Sequence, residues 1–181
     1  DLTVRSINDV PVANPDINAT DEDSVLTVLA AVGLLANDID ADIDSLSVTQ
    51  FAVEGIASTA GVTATFVGGT ILVNLDGSYA FTPALDFNGV VPTITYTISD
   101  GSLTATSTLD LTVRSINDVP VANPDINTTD EDVVLTVLAA AGLLANDIDA
   151  DIDSLSVTQF AVEGITFNAG VTAAFIAGTF T

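Results

Sequence analysis

Residues 93–113 read TITYTISDGSLTATSTLDLTV, and this stretch decides the fold class. Apolar residues alternate with threonine and serine on both sides of Asp100-Gly101, and β-branched and aromatic residues are frequent. Alternation with a period of two is the pattern of a half-buried strand, and Asp-Gly between two such runs is typical of a tight hairpin. The stretch therefore predicts two antiparallel strands with one face on a core.

The same pattern predicts five more strands upstream of this hairpin. A second tight turn, Asp76-Gly77-Ser78, separates two of them. Seven short antiparallel strands in about 100 residues indicate an all-β fold, an immunoglobulin-like sandwich with Greek-key connections. The five upstream runs are residues 25–29, 46–51, 62–66, 71–75 and 79–82.

Most of this pattern occurs twice in the chain. Residues 1–72 align without a gap to residues 110–181, at a constant offset of 109, and 61 of the 72 positions are identical. A fixed long period is the signature of a tandem array, whose usual product is length, spacing or multivalency. We expect residues 1–5 to end a preceding repeat, residues 6–114 to form a complete sandwich, and residues 115–181 to begin a second, truncated one.

Composition argues against several classes of function. The chain has 25 acidic residues and two basic ones, a net charge of -23, so we expect no nucleic-acid partner and no docking on anionic membranes. No apolar run approaches the ~20 residues that cross a bilayer, so direct membrane insertion is not expected. Without cysteine or histidine, the chain cannot build disulfides, thiolate or imidazole metal sites, or Ser-His-Asp and Cys-His catalysis. We expect no enzyme activity.

The segment from residue 29 to residue 44 breaks the strand pattern. Its first half predicts a helical turn that Gly33 caps or breaks, and residues 37–44 then carry four carboxylates at alternate positions. One interpretation is a strand with its apolar residues inward and a solvated acidic face, but its apolar phase slips before Leu46 and needs a bulge or loop. The other is a calcium loop, because alternate carboxylates of an extended chain share one side and can converge on a cation that prefers oxygen ligands.

A second acidic group lies near each boundary between copies. Residues 115–132 repeat residues 6–23 at all but one position, and both contain Asn-Asp-Val-Pro near the start and Asp-Glu-Asp at the end. The prolines in between restrict the backbone to extended forms, so these crossings are stiff. An ordinary acidic turn that satisfies backbone amides would explain the pattern. Alternatively, Asn117 and Asp118 share calcium with acidic residues at the adjoining end of the next sandwich.

Six motifs of the first copy resemble those of one known family, the cadherin-like, immunoglobulin-like tandem repeats of long bacterial surface adhesins and biofilm proteins, many of them exported by type I secretion. The resemblance spans nearly every residue of the first copy. The motifs are NDVPVA at 8–13, TDED at 20–23, GLLAND at 33–38, DGSYAFTP at 76–83, FNG at 87–89 and YTISDG at 96–101.

The resemblance implies an extracellular or cell-surface protein in which calcium at the crossings stiffens the array. Animal cadherins usually carry Asp two places before the crossing Asn, whereas this chain has Ser6 and Ser115. The implied calcium ligands are Asn8, Asp9, Glu22, Asp23, Asp38, Asp40 and Asp42, with their copies Asn117, Asp118, Glu131, Asp132, Asp147, Asp149 and Asp151.

Three functional classes remain after these steps. The leading hypothesis is a calcium-stiffened spacer of an extracellular bacterial adhesin that supports cell adhesion or biofilm formation. Its partners would be neighbouring repeats, with a cell-surface or matrix ligand contacted by other domains. The alternatives are a carbohydrate- or protein-binding module and an accessory module of a secreted multidomain protein. Aromatic residues are only 6% with no Trp, and Tyr79 and Tyr96 lie in strand patterns where core packing is expected.

Overall fold

The computed structural model describes residues 3, 5, 7–175 and 178–180 of the chain. Two compact units are present, Asp1–Ile116 and Asn117–Thr181. Residues 1, 2 and 4 of the predicted preceding repeat lie outside the described residues, as do Ser6 and residues 176, 177 and 181. No helix in the described part of the chain is long and apolar enough to cross a membrane.

The described residues of the first unit form ten strands. The strands are β1 (Asp16–Asp21), β2 (Leu26–Val28), β3 (Ser47–Val53), β4 (Ile56–Thr59), β5 (Thr63–Phe66), β6 (Gly69–Val73), β7 (Tyr79–Pro83), β8 (Gly89–Val90), β9 (Ile94–Ser99) and β10 (Thr104–Arg114).

These strands form two sheets around one core. The first sheet has the order β1-β10-β9-β3-β4, with β8 paired to β10, and the second has the order β2-β7-β6-β5. β1 pairs parallel with β10, from Asp16 opposite Leu109 to Asp21 opposite Arg114, and the other pairs are antiparallel. Because parallel neighbours need a long connection, the edge strand β1 depends on residues more than ninety positions away.

Side-chain alternation builds the core between the sheets. On β9, Ile94, Tyr96 and Ile98 are buried, whereas Thr95 between them is exposed. Both sheets contribute to a single hydrophobic cluster, which confirms the sandwich expected from the sequence. The largest fully buried side chains are Tyr96, Phe51, Phe81, Leu34, Ile71, Ile94, Ile98, Leu109, Leu111, Val48, Val53 and Val73.

All seven predicted strands are present, and both predicted hairpin turns join the expected pairs, β6 with β7 and β9 with β10. The structure adds β1, β4 and β8, which the sequence pattern missed. β1 contains Asp and Asn at alternate positions, so it lacks the composition of a strand and forms because β10 offers it a hydrogen-bonding edge.

The predicted helical turn is a short 3-10 helix, Ala30–Val32, with Gly33 at its C-terminal cap. The next amide, that of Leu34, donates to the carbonyl of Gly77 in the β6–β7 turn at 2.9 Å. A Cβ atom on Gly33 would lie only 2.3 Å from that carbonyl oxygen, so a side chain would collide with backbone. Gly33 therefore lets the 3-10 helix dock on the hairpin and brings the acidic segment that follows to one end of the sandwich.

The strand interpretation of residues 37–44 is wrong. Ile39 is 64% exposed and Ile43 is 91% exposed, so neither side chain faces the core. Only an isolated bridge from Ile39 to Val12 pairs this segment, and the rest of it is loop. The acidic residues are thus held by a curled loop at the surface.

The described part of the second unit repeats some of these elements. It has a 3-10 helix, Ala139–Ala141, and an isolated bridge between Val121 and Ile148. Two hairpins follow, formed by β11 (Gln159–Val162) with β12 (Ile165–Asn168) and by β13 (Ala173–Phe175) with β14 (Gly178–Phe180).

Candidate metal-binding groups

The crossing residues Asn8 and Asp9 lie against the acidic loop of the first copy. The amide of Asp9 donates to Oδ2 of Asp42 at 2.7 Å, and Nδ2 of Asn8 donates to Oδ2 of Asp100 at 2.8 Å. Asp100 lies in the β9–β10 turn, so the crossing, the acidic loop and this turn meet at one end of the sandwich. We call Asn8, Asp9, Asp38, Asp40 and Asp42 the entrance group of the first copy.

Asp40 organises the acidic loop. Its Oδ1 accepts from the amide of Asp42 at 2.9 Å and from the amide of Asp44 at 3.2 Å, which curls the chain around the carboxylate. Ile43 has a positive φ of 64°, a strained conformation for a β-branched residue. The loop thus curls around the Asp40 carboxylate at a cost in backbone strain.

Two carboxylate oxygens of the entrance group are buried without a hydrogen bond. They are Oδ2 of Asp38 and Oδ2 of Asp40. Leaving a buried charged oxygen unsatisfied costs more than a lost neutral hydrogen bond, and a cation bound to such an oxygen would remove that cost. The donor set is all oxygen, which is what calcium prefers. The residues present therefore fit a calcium ion, which Asp38 and Asp40 would help to hold.

Asp38 also connects the loop to a partly buried polar network that the sequence did not reveal. Its Oδ1 accepts from the amide of Asn14 at 2.7 Å, and burial together with the charge of Asp16 raises its pKa. Asp16 accepts from the Tyr96 hydroxyl at 2.7 Å, and burial raises its pKa. Burial and the bond to Asp16 raise the pKa of Tyr96 as well. Asp38 is therefore both a candidate ligand and the anchor of the loop.

A second acidic group lies where the chain leaves the first sandwich. Glu22 is only 4% exposed, and its Oε1 accepts from the amide of Ile116 at 2.5 Å while Oε2 accepts from Nδ2 of Asn88 at 3.3 Å. Oδ1 of Asp23 accepts from the amide of Asp86 at 3.3 Å, and carboxylate oxygens of these two residues lie within 4.8 Å of one another. We call Glu22, Asp23, Asp86 and Asn88 the exit group.

Sequence reasoning proposed Glu22 and Asp23 but missed Asp86 and Asn88. Both missed residues flank Phe87. Asn88 belongs to the Phe-Asn-Gly motif that carried the resemblance, but nothing in the sequence indicated a role in metal binding for that motif. Asp23 and Asp86 have positive φ values of 56° and 55°, conformations that Asp tolerates better than most residues. These backbone turns place the two carboxylates near each other.

The two groups lie at opposite ends of β10. Asn8 of the entrance group bonds to Asp100 just before this strand, and Glu22 of the exit group bonds to Ile116 just after it. Eleven residues of strand span roughly 35 Å at about 3.3 Å per residue. One repeat therefore carries candidate oxygen ligands at both of its ends.

The second copy has its own entrance group, Asn117, Asp118, Asp147, Asp149 and Asp151. The amide of Asp118 donates to Oδ2 of Asp151 at 2.6 Å, and Oδ1 of Asp149 accepts from the amide of Asp153 at 3.0 Å. These bonds match those of the first copy. Glu131 and Asp132, the copies of Glu22 and Asp23, are exposed, and the chain stops before the counterparts of Asp86 and Asn88.

Comparison with known proteins places this sandwich, with its acidic ends, in the class of cadherin-like domains. The model of the bacterial cadherin-like domain matches residues 8–115, and that of the cadherin-like domain matches residues 116–181. The chain belongs to the bacterial cadherin-like domain family. That membership confirms the cadherin-like part of the resemblance found in the sequence and supports a structural repeat or adhesion-type module. A search of curated proteins gives no match.

Several solved structures are similar to part of this chain at low sequence identity. A variant of the endo-fucoidan hydrolase MfFcnA4 from glycoside hydrolase family 107 is 20% identical, with 62% of this chain and 16% of that chain covered and a TM-score of 0.41. A nucleoside hydrolase-related hypothetical protein from Saccharophagus degradans is 20% identical, covering 59% and 26%, with a TM-score of 0.37. The N-terminal four Ig domains of Dscam1 isoform 6.9 are 10% identical, covering 62% and 27%, with a TM-score of 0.35. The chain therefore spans only a small part of each of these proteins.

Proposed function

We propose that this chain is a stretch of a calcium-stiffened spacer in an extracellular bacterial adhesin. Oδ2 of Asp38 and Oδ2 of Asp40, two buried carboxylate oxygens that accept no hydrogen bond, are the observation that carries the calcium assignment. Bacterial cadherin-like domains are typically extracellular, where calcium modules with dissociation constants of about 0.1 to 1 mM are loaded.

In this proposal, bound calcium stiffens the chain by neutralising part of its negative charge. The chain has a net charge of -23, and such self-repulsion destabilises compact states. The ion pair between Arg114 and Asp21, at 2.6 Å, offsets little of this charge. Cations held by the entrance and exit groups would remove repulsion where it is densest, at the ends of each repeat, and so stiffen the crossings.

The residues of the sandwich suit a spacer better than a sugar-binding module. A sugar platform needs exposed aromatic rings, but Tyr79 is 4% exposed and Tyr96 is 1% exposed. Both rings pack in the core, as their strand pattern predicted. We therefore assign the repeat to spacing and support, with cell adhesion or biofilm formation depending on domains elsewhere in the parent protein, and we propose no catalytic role for it.

A calcium titration with a matched pair of variants tests this function. In Asp40→Asn combined with Asp149→Asn, the amide oxygen can still accept the turn bonds, but the ligand charge is lost from both loops. Glu54→Gln combined with Glu163→Gln removes the same number of charges from exposed turns outside the acidic groups. Calcium binding measured by calorimetry should weaken at least about tenfold in the first variant, because ligand charge sets calcium affinity, and stay unchanged in the second.

Thermal melting and small-angle scattering supply the mechanical readout. At 100 times the dissociation constant, calcium should stabilise the unmodified chain by about 2.7 kcal/mol. For a domain of this size that is a rise of roughly 10 °C in the melting midpoint. Scattering should show a longer and less variable particle with calcium than with a chelator. A midpoint and a particle length that do not respond to calcium would exclude the proposed function.

A further inference from the structure

The first and last strands of the first sandwich lie side by side and run in the same direction. β1 pairs with the end of β10, from Asp16 opposite Leu109 to Asp21 opposite Arg114. β9, on the other side of β10, pairs with it as far as Leu109. Residues 110–114 of β10 are therefore held by β1 and by the short strand β8.

The parallel pairing sets the direction in which tension loads these two strands. The chain enters β1 at Asp16 and leaves β10 after Arg114, and these points lie at opposite ends of the paired stretch. Tension along the chain therefore pulls the two strands past each other and loads their hydrogen bonds together. If the first and last strands were antiparallel neighbours, both chain ends would lie at one end of the ladder, and its bonds would open one at a time.

Further bonds continue this pairing beyond the ends of the two strands. The amide of Glu22 donates to the carbonyl of Arg114 at 2.9 Å, and Oε1 of Glu22 accepts from the amide of Ile116 at 2.5 Å. Arg114 also forms its ion pair with Asp21. Sliding β1 along β10 would break these bonds together with those of the ladder.

Two core tyrosines also hold β1, which explains its polar sequence. The Tyr96 hydroxyl donates to Oδ2 of Asp16 at 2.7 Å, and Nδ2 of Asn18 donates to the Tyr79 hydroxyl at 2.9 Å. Tyr96 belongs to β9 of one sheet and Tyr79 to β7 of the other. β1 is thus bonded to both sheets, although Thr20 is the one residue of the strand that is buried.

We propose that the β1–β10 pairing is a mechanical clamp, which carries tension along the chain and sets the force at which the repeat unfolds. The inference rests on the proposed function only in taking the repeat to be a spacer under tension, and the bonds of the clamp need no cation. Because these bonds are loaded together, they must break together. The clamp therefore holds in the calcium-free chain as well.

Pulling the full chain in two directions with optical tweezers tests the clamp. The chain has no Cys, so two introduced cysteines define where the handles are attached. Pro15→Cys with Ile116→Cys pulls β1 and β10 in shear, whereas Val25→Cys with Ile116→Cys pulls from one end of their pairing, and all three native residues are exposed. In chelator, the shear direction should need at least about twice the unfolding force of the other direction.

A matched pair of prolines tests whether the ladder itself carries the load. The amide of Glu22 faces β10, so the amide of Thr20, two residues earlier, faces it too. The amide of Ala19 instead donates to Oδ1 of Asn18 at 2.9 Å. Thr20→Pro should remove most of the difference between the two directions. Ala19→Pro should keep it, because an edge strand tolerates proline where the nitrogen faces away from the ladder.

The outcomes separate this inference from the proposed function. Equal forces in the two directions would overturn the clamp, and so would a difference that appears only with calcium, since the acidic ends would then carry the load. A difference that Thr20→Pro leaves intact would also overturn it. If that variant does not fold, the comparison of the two directions in the chain without proline still decides. The calcium assignment stands or fails separately, on the titration and the melts.

Discussion

The first copy in this chain forms a complete sandwich, whereas the second contains only the first part of a nearly identical sequence. Leu34 is fully buried, whereas its copy Leu143 is 46% exposed, and Val28 at 6% exposure corresponds to Val137 at 38%. The sequence around each pair is nearly the same, with one substitution near each, so we attribute the difference to the partner strands that only the first copy has in this chain. Burial in this fold is thus a property of the closed sandwich.

The secondary structure of the two copies differs in the same way. Residues 16–21 are β1 and residues 26–28 are β2 in the first copy, but residues 125–130 and 135–137 are not strands in the second. β1 pairs with β10 and β2 pairs with β7, and the second copy has neither partner. The 3-10 helix and the β3–β4 hairpin, by contrast, recur as Ala139–Ala141 and β11–β12. Elements whose contacts are local survive without the rest of the fold.

Completing the second copy should produce the largest change. An extended chain in which the sequence of residues 73–114 follows Thr181 should convert residues 125–130 and 135–137 into strands and bury Leu143. The second unit should then unfold as a cooperative domain with about 5 kcal/mol or more of stability. Hydrogen exchange at the amides of residues 125–137 measures the effect, and amides that stay unprotected would contradict it.

Truncation of the corresponding leucines should give the second largest difference between the copies, measured as loss of unfolding free energy. Leu34→Ala removes a fully buried side chain and should cost about 2 to 5 kcal/mol of unfolding free energy. Leu143→Ala at the half-exposed copy should cost less than about 1 kcal/mol. Denaturant unfolding of the two single variants measures both values. Equal losses would mean that the second unit has a core of its own.

A matched pair of glycine substitutions should give a smaller difference. A Cβ on Gly33 would lie 2.3 Å from the carbonyl oxygen of Gly77, whereas the nearest atom to a Cβ on Gly142 is a carbonyl oxygen at 3.3 Å. Gly33→Ala should therefore destabilise by about 1 to 3 kcal/mol through backbone displacement, and Gly142→Ala by much less. Thermal melting of both variants checks this. A harmless Gly33→Ala would show that the 3-10 helix does not need to dock on the β6–β7 turn.

The pH dependence of the calcium-free chain should give the smallest effect. The pKa values of Asp16 and Asp38 are raised above their ordinary value of 3.8, so the folded state binds more protons than the unfolded state. Their ionisation therefore opposes folding at neutral pH, and stability should rise as the pH falls through these raised values. Asp16→Asn should flatten this rise in melts recorded between pH 7 and 4. A profile that Asp16→Asn leaves unchanged would assign the rise to general charge repulsion.

Much of the fold could be predicted from local patterns. Alternation in residues 93–113 predicted β9 and β10 because a strand with one buried face must repeat every two residues. Asp76-Gly77-Ser78 and Asp100-Gly101 predicted their hairpins, because φ values of 79° and 102° at these glycines are positions that glycine favours. β1 escaped prediction because its polar sequence has no strand signal and its partner lies more than ninety residues away.

The candidate site was predictable in part for a similar reason. Alternate Asp residues from Asp38 to Asp42 indicate an oxygen-ligand loop in one short segment, and in the structure the amide of Asp9 bonds to Asp42 of that loop. Asp86 and Asn88 contact Asp23 and Glu22 only because β7 and β8 pack beside β2 and β10 in the folded sandwich. No local spacing in the sequence therefore indicates that they are candidate ligands. The assignment of calcium to both groups remains a prediction for the titrations to test.

By itself the sequence determined the period of the array, the positions of most strands, the tight turns and the acidic loops, because these depend on residues close together in the chain. Only the tertiary structure decided which residues are buried, that β1 exists, and that Asp86 and Asn88 join the exit group. Those features need contacts across sixty to one hundred residues, as between Glu22 and Asn88 or Asp21 and Arg114. The entropy of closing such long loops is recovered only when the whole sandwich packs. For this reason two nearly identical sequences in one chain differ in burial and strand pairing but share the same loops.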